Sequence, residues 1–173
     1  NKEIIPLETI NKIKKNEQKK DVGNMENVFY NIEYSGLDLS GNRYILKSNE
    51  ARNDLLNDQL INMIGVEAIF YFKDDTVLQV FSKNGIYNSK TLDMSFVNNV
   101  KANYEGSDLT AEKANYSNSL GFLTISENVK VNDVQGNLVA DQLVFDIEKQ
   151  TLKIDSFQDD KINVNVKLNE KRF

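Results

Sequence analysis

Residues 98–113 read NNVKANYEGSDLTAEK, and residues 127–142 read ENVKVNDVQGNLVADQ. The two stretches lie 29 residues apart, and the same spacing holds well beyond them. Tyr87 falls on Tyr116 and then on Phe145, Met94 on Leu123 and then Leu152, Phe96 on Ile125 and then Ile154. Val100 falls on Val129, Ala102 on Val131, Leu109 on Leu138, Ala111 on Ala140 and Ala114 on Leu143. The third copy fades after Ile154. A fixed period of this size belongs to architectures in which each unit stacks on the next, because one unit cannot bury its apolar face alone.

Within a unit the apolar residues recur at every second position. Met94, Phe96, Val100, Ala102 and Tyr104 share one parity, while Ser95, Lys101 and Asn103 take the other. That is the period of a strand with one buried face. Asn98 and Glu127 interrupt the apolar row in successive copies, and a bend is expected there. The return strand starts with Leu109 and Ala111 and then switches parity to Ala114 and Tyr116; its copy runs Leu138, Ala140, then Leu143, Phe145. A residue inserted mid-strand reads as a β-bulge, which bends and twists the strand. Turn chemistry in YEGSD, YSNSLG, NDVQGN and IEKQ separates the arms. Stacking such units predicts an elongated all-β body, with two sheets facing each other across an apolar interior.

The N-terminal half is a looser version. ENVFYNIEYSGLD and GNRYILKS alternate as strands around the turn GLDLSGN, and GVEAIFYFKDDTVLQVFSKNGIY reads as a hairpin around Asp74 and Asp75. ARNDLLNDQLINM suits either a short helix or a strand. Residues 1–24, which contain NKIKKNEQKKD, read as a tether or a marginal helix, leaving residues 25–173 as the β domain. The lysines of residues 12–20 suit contact with anionic lipid headgroups, but Glu17 and Asp21 among them suit a solvated tether as well.

The chain has no Cys and no His, which removes thiolate chemistry, the commonest general base and the commonest metal ligand. Its net charge of −5 argues against nucleic acid as a partner. No stretch approaches the roughly 18 apolar residues of a membrane span. The pairs Asp74–Asp75 and Asp159–Asp160 lack the ligand pattern of a calcium loop and read as solvated turns. With no nucleophile–base pair, phosphate loop or metal cluster, the sequence points to no enzyme and to no cofactor.

The stretches SGLDLSGNRYILKSNEA, NGIYNSKTLDMSFVNNVKANYEGSDLTAEKANY and ENVKVNDVQGNLVADQLVFD resemble the OstA-type family of lipopolysaccharide-transport proteins. The resemblance runs from about residue 26 to the C-terminus. The opening SGLDLSGNRYILKS after a charged segment is most similar to the LptC branch. The family often carries Gly before the Asn-Val of each repeat, where this chain has Asn98 and Glu127. The resemblance implies a twisted, open, antiparallel β-jelly roll, a trough that carries the acyl chains of lipopolysaccharide. It also implies a periplasmic protein held in the inner membrane by a helix that would precede Asn1. Its partners would be an inner-membrane lipopolysaccharide-export ABC transporter of the LptF/LptG type and an LptA-like periplasmic protein. An LptA-like bridge protein is the alternative within the family. A structural β-solenoid with a sealed core is the alternative outside it.

The apolar columns have a plain reading as a packed core, since repeat interiors usually pack shut. The resemblance instead makes them a lipid groove lined by Met94, Phe96, Val100, Ala102, Tyr116, Leu123, Ile125, Val129, Phe145, Leu152 and Ile154. The last alternating stretch, INVNVKLNE, holds a candidate docking edge at Ile162, Asn163, Val164, Asn165 and Val166. It carries one Lys and no Pro, weak protection for an edge, and strand addition there suits a second β-trough protein.

Overall fold

A computed structural model describes residues 27–155, together with the backbone of two flanking strands, Gln18–Lys20 and Val164–Lys167. Eleven strands form one antiparallel sheet in simple chain order. They are β1 (Gln18–Lys20), β2 (Asn27–Leu37), β3 (Arg43–Asn53), β4 (Leu60–Tyr71), β5 (Val77–Asn88), β6 (Met94–Tyr104), β7 (Ser107–Ser117), β8 (Phe122–Asp133), β9 (Gly136–Asp146), β10 (Thr151–Asp155) and β11 (Val164–Lys167). No helix occurs among the described residues. The sheet is open, with β1 and β11 at its ends. Most of the expected tether, as well as Ile162, Asn163 and the Asp159–Asp160 pair, lies outside the described residues.

The sequence repeat is the register of this sheet. One copy spans two strands, so residues 29 apart sit two strands apart on one cross-strand line. Met94 pairs with Tyr116, Tyr116 with Leu123, Leu123 with Phe145 and Phe145 with Leu152. A second line runs Phe96, Ala114, Ile125, Leu143, Ile154. Side chains directly opposite on neighbouring strands touch, so each line is a continuous apolar ridge.

The strands bend near their middles. Asn31, Gly65, Asn98, Asn99, Glu127 and Asn128 all have positive φ, between 51° and 67°. The structure moves the expected bulge to the other strand of each repeat. The return strands do switch parity between Ala111 and Ala114 and between Ala140 and Leu143. The extra residue, however, lies on the outgoing strands: Val97 to Val100 spans three steps against two from Lys113 to Ala111, and Ser126 to Val129 spans three against two from Gln142 to Ala140. Two consecutive left-handed residues absorb it, with Asn the side chain that best tolerates that conformation at three of the four positions.

Along this line of kinks the sheet doubles over. The turns at 38–42, 72–76, 105–106 and 134–135 form a first rim, and those at 54–59, 89–93, 118–121 and 147–150 form a second. Tyr34, near the first rim, meets Tyr87, near the second, with ring centroids 5.0 Å apart. Phe70 meets Tyr116 at 5.0 Å and Tyr104 meets Phe145 at 5.3 Å, each pair belonging to opposite rims. Strand β2 thus faces β5, β4 faces β7 and β6 faces β9. The two halves of one folded sheet bury a common core, and the expected pair of facing sheets is this single doubled sheet.

Local chemistry fixes the turns. Asp38 is buried, and its carboxylate accepts from the Ser40 and Asn42 backbone N–H groups and from Asn42 Nδ2 at 2.8–2.9 Å. Gly36 lies opposite Tyr44, where a Cβ would come 2.5 Å from the tyrosine hydroxyl, so only glycine lets that ring lie flat across the strand. The ambiguous ARNDLLNDQLINM is neither helix nor a single strand. It ends β3, turns over residues 54–59 and starts β4, because Asp54 Oδ1 accepts from the Leu56 and Asn57 N–H groups and closes a tight loop.

The kink line is testable at Asn128, an exposed residue at φ 56°. Asn128→Val should cost about 1–2 kcal/mol, because a β-branched side chain is crowded in the left-handed region. Asn128→Gly should stay within about 0.5 kcal/mol of the parent. Urea unfolding midpoints of the two variants read the difference.

Candidate functional site

The doubled sheet is not equally full along its length. From β2 to β7 large rings fill the space between the halves. Tyr44 and Tyr87 join hydroxyls across the interior at 3.2 Å, both buried, and Tyr34, Phe70 and Tyr116 pack around them. Beyond the Tyr104–Phe145 pair the filling stops. A cavity of about 290 Å³ opens there. Its first-rim wall is Leu78, Ala102, Tyr104, Leu109, Val131 and Leu138, and its second-rim wall is Leu123, Ile125, Phe145, Leu152 and Ile154. Ser107, Asp133, Gln135 and Asn137 give its mouth a polar edge.

The offset of three strands explains why the cavity sits at this end. At that offset the first-rim half of β7 meets β10, whose Leu152 and Ile154 share the cavity with Leu109, and that of β9 has no strand left to meet among the described residues. Leu138, on the inward line of β9, is correspondingly 38% exposed. Small residues enlarge the space further back, since Ala102 pairs with Leu109 where an aromatic pair would close it.

Of the residues expected to line a groove, Ala102, Leu123, Ile125, Phe145, Leu152 and Ile154 come together on the cavity. Met94, Phe96, Val100, Tyr116 and Val129 do not border it; all five are buried in the packed part of the interior. Position along the body thus separates the residues of the columns that border this cavity from those that do not. Leu78, Tyr104, Leu109, Val131 and Leu138 also line the cavity without having been singled out for it. Their signal was present, because Ala102–Leu109 and Val131–Leu138 are register partners on one line that the repeat defines. Of the candidate edge, Val164, Asn165 and Val166 lie in β11, the last strand of the sheet, paired with Ile154, Lys153 and Leu152.

A polar bridge crosses between the rims beside the cavity. Tyr104 Oη donates to Gln150 Oε1 at 2.7 Å, and Thr76 Oγ1 lies 3.1 Å from the same oxygen. Thr76 Oγ1 also donates to Asp74 Oδ1 at 2.6 Å. Burial pushes the Tyr104 phenol up from its ordinary value, so it remains a neutral donor throughout the physiological range. Asp74 and Asp75 occupy the turn expected for them. Hydrogen bonding, first from the Thr76 hydroxyl, holds the Asp74 carboxyl below its ordinary range.

A family model described as "Lipopolysaccharide-assembly, LptC-related" matches residues 5–156, most of the chain. The chain belongs to the LptC family. No curated protein matches the sequence. Membership brings a role in lipopolysaccharide transport, in a family of transport and bridge proteins and not of enzymes. An LptC-type β-jelly roll is what the doubled open sheet forms. The matched region reaches back into the expected tether and ends before β11. No helix among the described residues is long and apolar enough to cross a membrane.

The depressed Asp74 carboxyl sets a pH dependence. A folded-state value below the unfolded one stabilises the fold above the unfolded value, and that contribution is lost as pH falls through the folded value. Asp74→Asn should therefore lower the thermal midpoint slightly at neutral pH. The gap should close as pH drops below about 4, near the unfolded value of an aspartate. Melting curves of the two proteins from neutral pH into acid check it.

Proposed function

We propose that this LptC-family chain is a non-enzymatic periplasmic carrier and bridge. In this reading it receives lipopolysaccharide from an inner-membrane ABC transporter of the LptF/LptG type. It passes the lipid to an LptA-like periplasmic protein, and the full-length protein is anchored in the inner membrane. The observation that carries the reading is the apolar cavity between β5 and β10, open at the end of a sheet whose apolar lines continue into its last strand. An apolar cleft with a few polar groups at its mouth is the usual form of a site for an amphiphile. A sealed structural β-solenoid fits the ring-filled interior from β2 to β7. It does not fit the walls of the cavity, where apolar side chains face open space.

Position along the body, and not face alone, should decide lipid contact. A photo-reactive residue at Ile125 or Ile154 should cross-link to lipopolysaccharide. The same label at Lys101, on the outward face, should not, and at Phe96, buried in the packed interior, it should label far less than at Ile125. Equal labelling at Ile125 and Lys101 would overturn the groove.

The docking edge of the proposal is β11. Main-chain hydrogen bonds carry strand addition, and proline removes a donor. Asn165→Pro should weaken binding of an LptA-like partner at least tenfold, about 1.4 kcal/mol, with the domain still folded. Asn165→Ala should change neither. Titration of the partner, with circular dichroism as the folding control, separates three results: a lost edge, an unfolded internal strand, and an edge that plays no part.

A further inference from the structure

The repeat breaks its own pattern at one inward position beside the cavity. The spacing of 29 residues puts Asp133 where the previous copy has Tyr104, and Gly136 where it has Ser107. All four lie on the line nearest the first rim, with Tyr104 paired to Ser107 and Asp133 to Gly136. Tyr104 packs inward on the Phe72 and Phe145 rings. Asp133 follows Val131 by two residues, so the strand aims it at the same face, and it borders the mouth of an apolar cavity. Holding the adjacent turn accounts for one of its oxygens, because Oδ1 accepts from Gln135 N–H at 3.0 Å. An asparagine or a serine would hold that turn as well. The other oxygen, Oδ2, accepts from the Ser107 hydroxyl, itself part of the cavity wall. The turn therefore explains an acceptor at this position and leaves the charge without a role.

The surroundings give the charge a role. Among the described residues that line the cavity, Asp133 alone is charged, and none is Lys or Arg. Gln135 and Asn137 bring exposed amides to the same mouth. The carboxylate only accepts hydrogen bonds, while the amides both donate and accept. A head group rich in hydroxyls matches this set, since it can donate to Asp133 and exchange hydrogen bonds with the amides. A carboxylate head offers Asp133 no donor and is repelled by it. Two like charges a few ångströms apart at a partly solvated mouth weaken binding about tenfold.

We infer that Asp133 sets the head-group selectivity of this cavity. The site takes an acyl or alkyl chain whose polar end is uncharged and carries hydroxyls, as a sugar or polyol does, and disfavours a chain that ends in an anion. The inference rests on the carrier reading above and says which part of its lipid lies at this mouth: the hydroxyl-bearing part, with anionic groups elsewhere.

Decyl glucoside and decanoate carry similar chains on the two kinds of head. Each is titrated below its micelle concentration, at neutral pH, as a competitor of the uncharged dye N-phenylnaphthylamine bound to the whole chain. The two differ in affinity for any apolar site, so the quantity read is the ratio of their Kd values, decanoate over glucoside, and its change between variants. Asp133→Asn and Asp133→Ser both keep an acceptor for Gln135 N–H, with circular dichroism as the folding control. Each should lower the ratio roughly fivefold or more, chiefly by tightening decanoate. Ser107→Ala, which keeps the charge, should leave the ratio within about twofold of the parent. Raising salt from about 0.02 M to about 0.5 M should narrow the parent's ratio and leave that of Asp133→Asn in place. A ratio unchanged in the Asp133 variants, or a parent ratio indifferent to salt, overturns the selectivity and leaves the carrier reading standing. If neither amphiphile displaces the dye the inference falls too, and lipopolysaccharide labelling at Ile125 decides the carrier reading by itself.

Discussion

A lone antiparallel sheet with one apolar face has to cover that face, and this chain covers it with itself. The constraint that makes this possible is the line of left-handed residues through the strand centres, Asn31, Gly65, Asn98–Asn99 and Glu127–Asn128. Without a sharp bend at one level in every second strand the sheet would only twist, and its two halves would diverge. With it, the halves close on each other at an offset of three strands. The ring pairs Tyr34–Tyr87, Phe70–Tyr116 and Tyr104–Phe145 follow from that offset. So does the cavity, because a folded strip offset against itself must leave one inner surface uncovered at its end.

Much of this was legible in the sequence because the repeat and the register are one quantity. A spacing of two strands per copy puts Phe96, Ile125 and Ile154 on a single line before any coordinates are known. The bends were legible too, as polar positions breaking an apolar row. Which strand carries the extra residue was not. From Phe96 to Val100 the count is even, so the outgoing strand keeps its parity across two left-handed residues and hides them. The return strand, which changes parity, looked like the bulged one. The β3–β4 connection was ambiguous for a different reason. Leu55 and Leu56 imitate part of a helical face, yet both are exposed, and the loop is held by the Asp54 carboxylate instead.

The division of the columns into packed interior and open cavity could not be read from parity, since parity says only which face points inward. What fills the space is decided by the residue three strands away. Phe70 meets Tyr116, two large rings, and the interior shuts. Leu109 and Ala102 are side by side on the wall that faces Leu152 and Ile154, and it does not. Sequence reasoning that stops at neighbouring strands sees both as the same apolar pattern. A pairing of each strand with the third one after it would have separated Met94, Phe96 and Tyr116 from Leu123, Ile125 and Ile154.

The same geometry explains why a packed interior and an open apolar cavity are compatible in one repeat. Rings at the N-terminal end give the sheet the buried area that holds it folded, with each aromatic pair adding about 0.5–1.5 kcal/mol beyond its area. They also set the spacing of the halves, while Leu123, Leu143 and Ile147, all fully buried, add core at the C-terminal end beside the cavity. The apolar lines do not stop there. Leu152 pairs with Val166 and Ile154 with Val164, so the last strand carries both lines to the edge of the sheet, where main-chain groups face no further strand among the described residues. A body whose register is set by a repeat can be lengthened by any chain that shares it, because an added strand meets the same lines at the same height. On physical grounds, then, a partner that extends this sheet would extend the cavity as well, and docking and passage of an apolar ligand would be two consequences of one ladder.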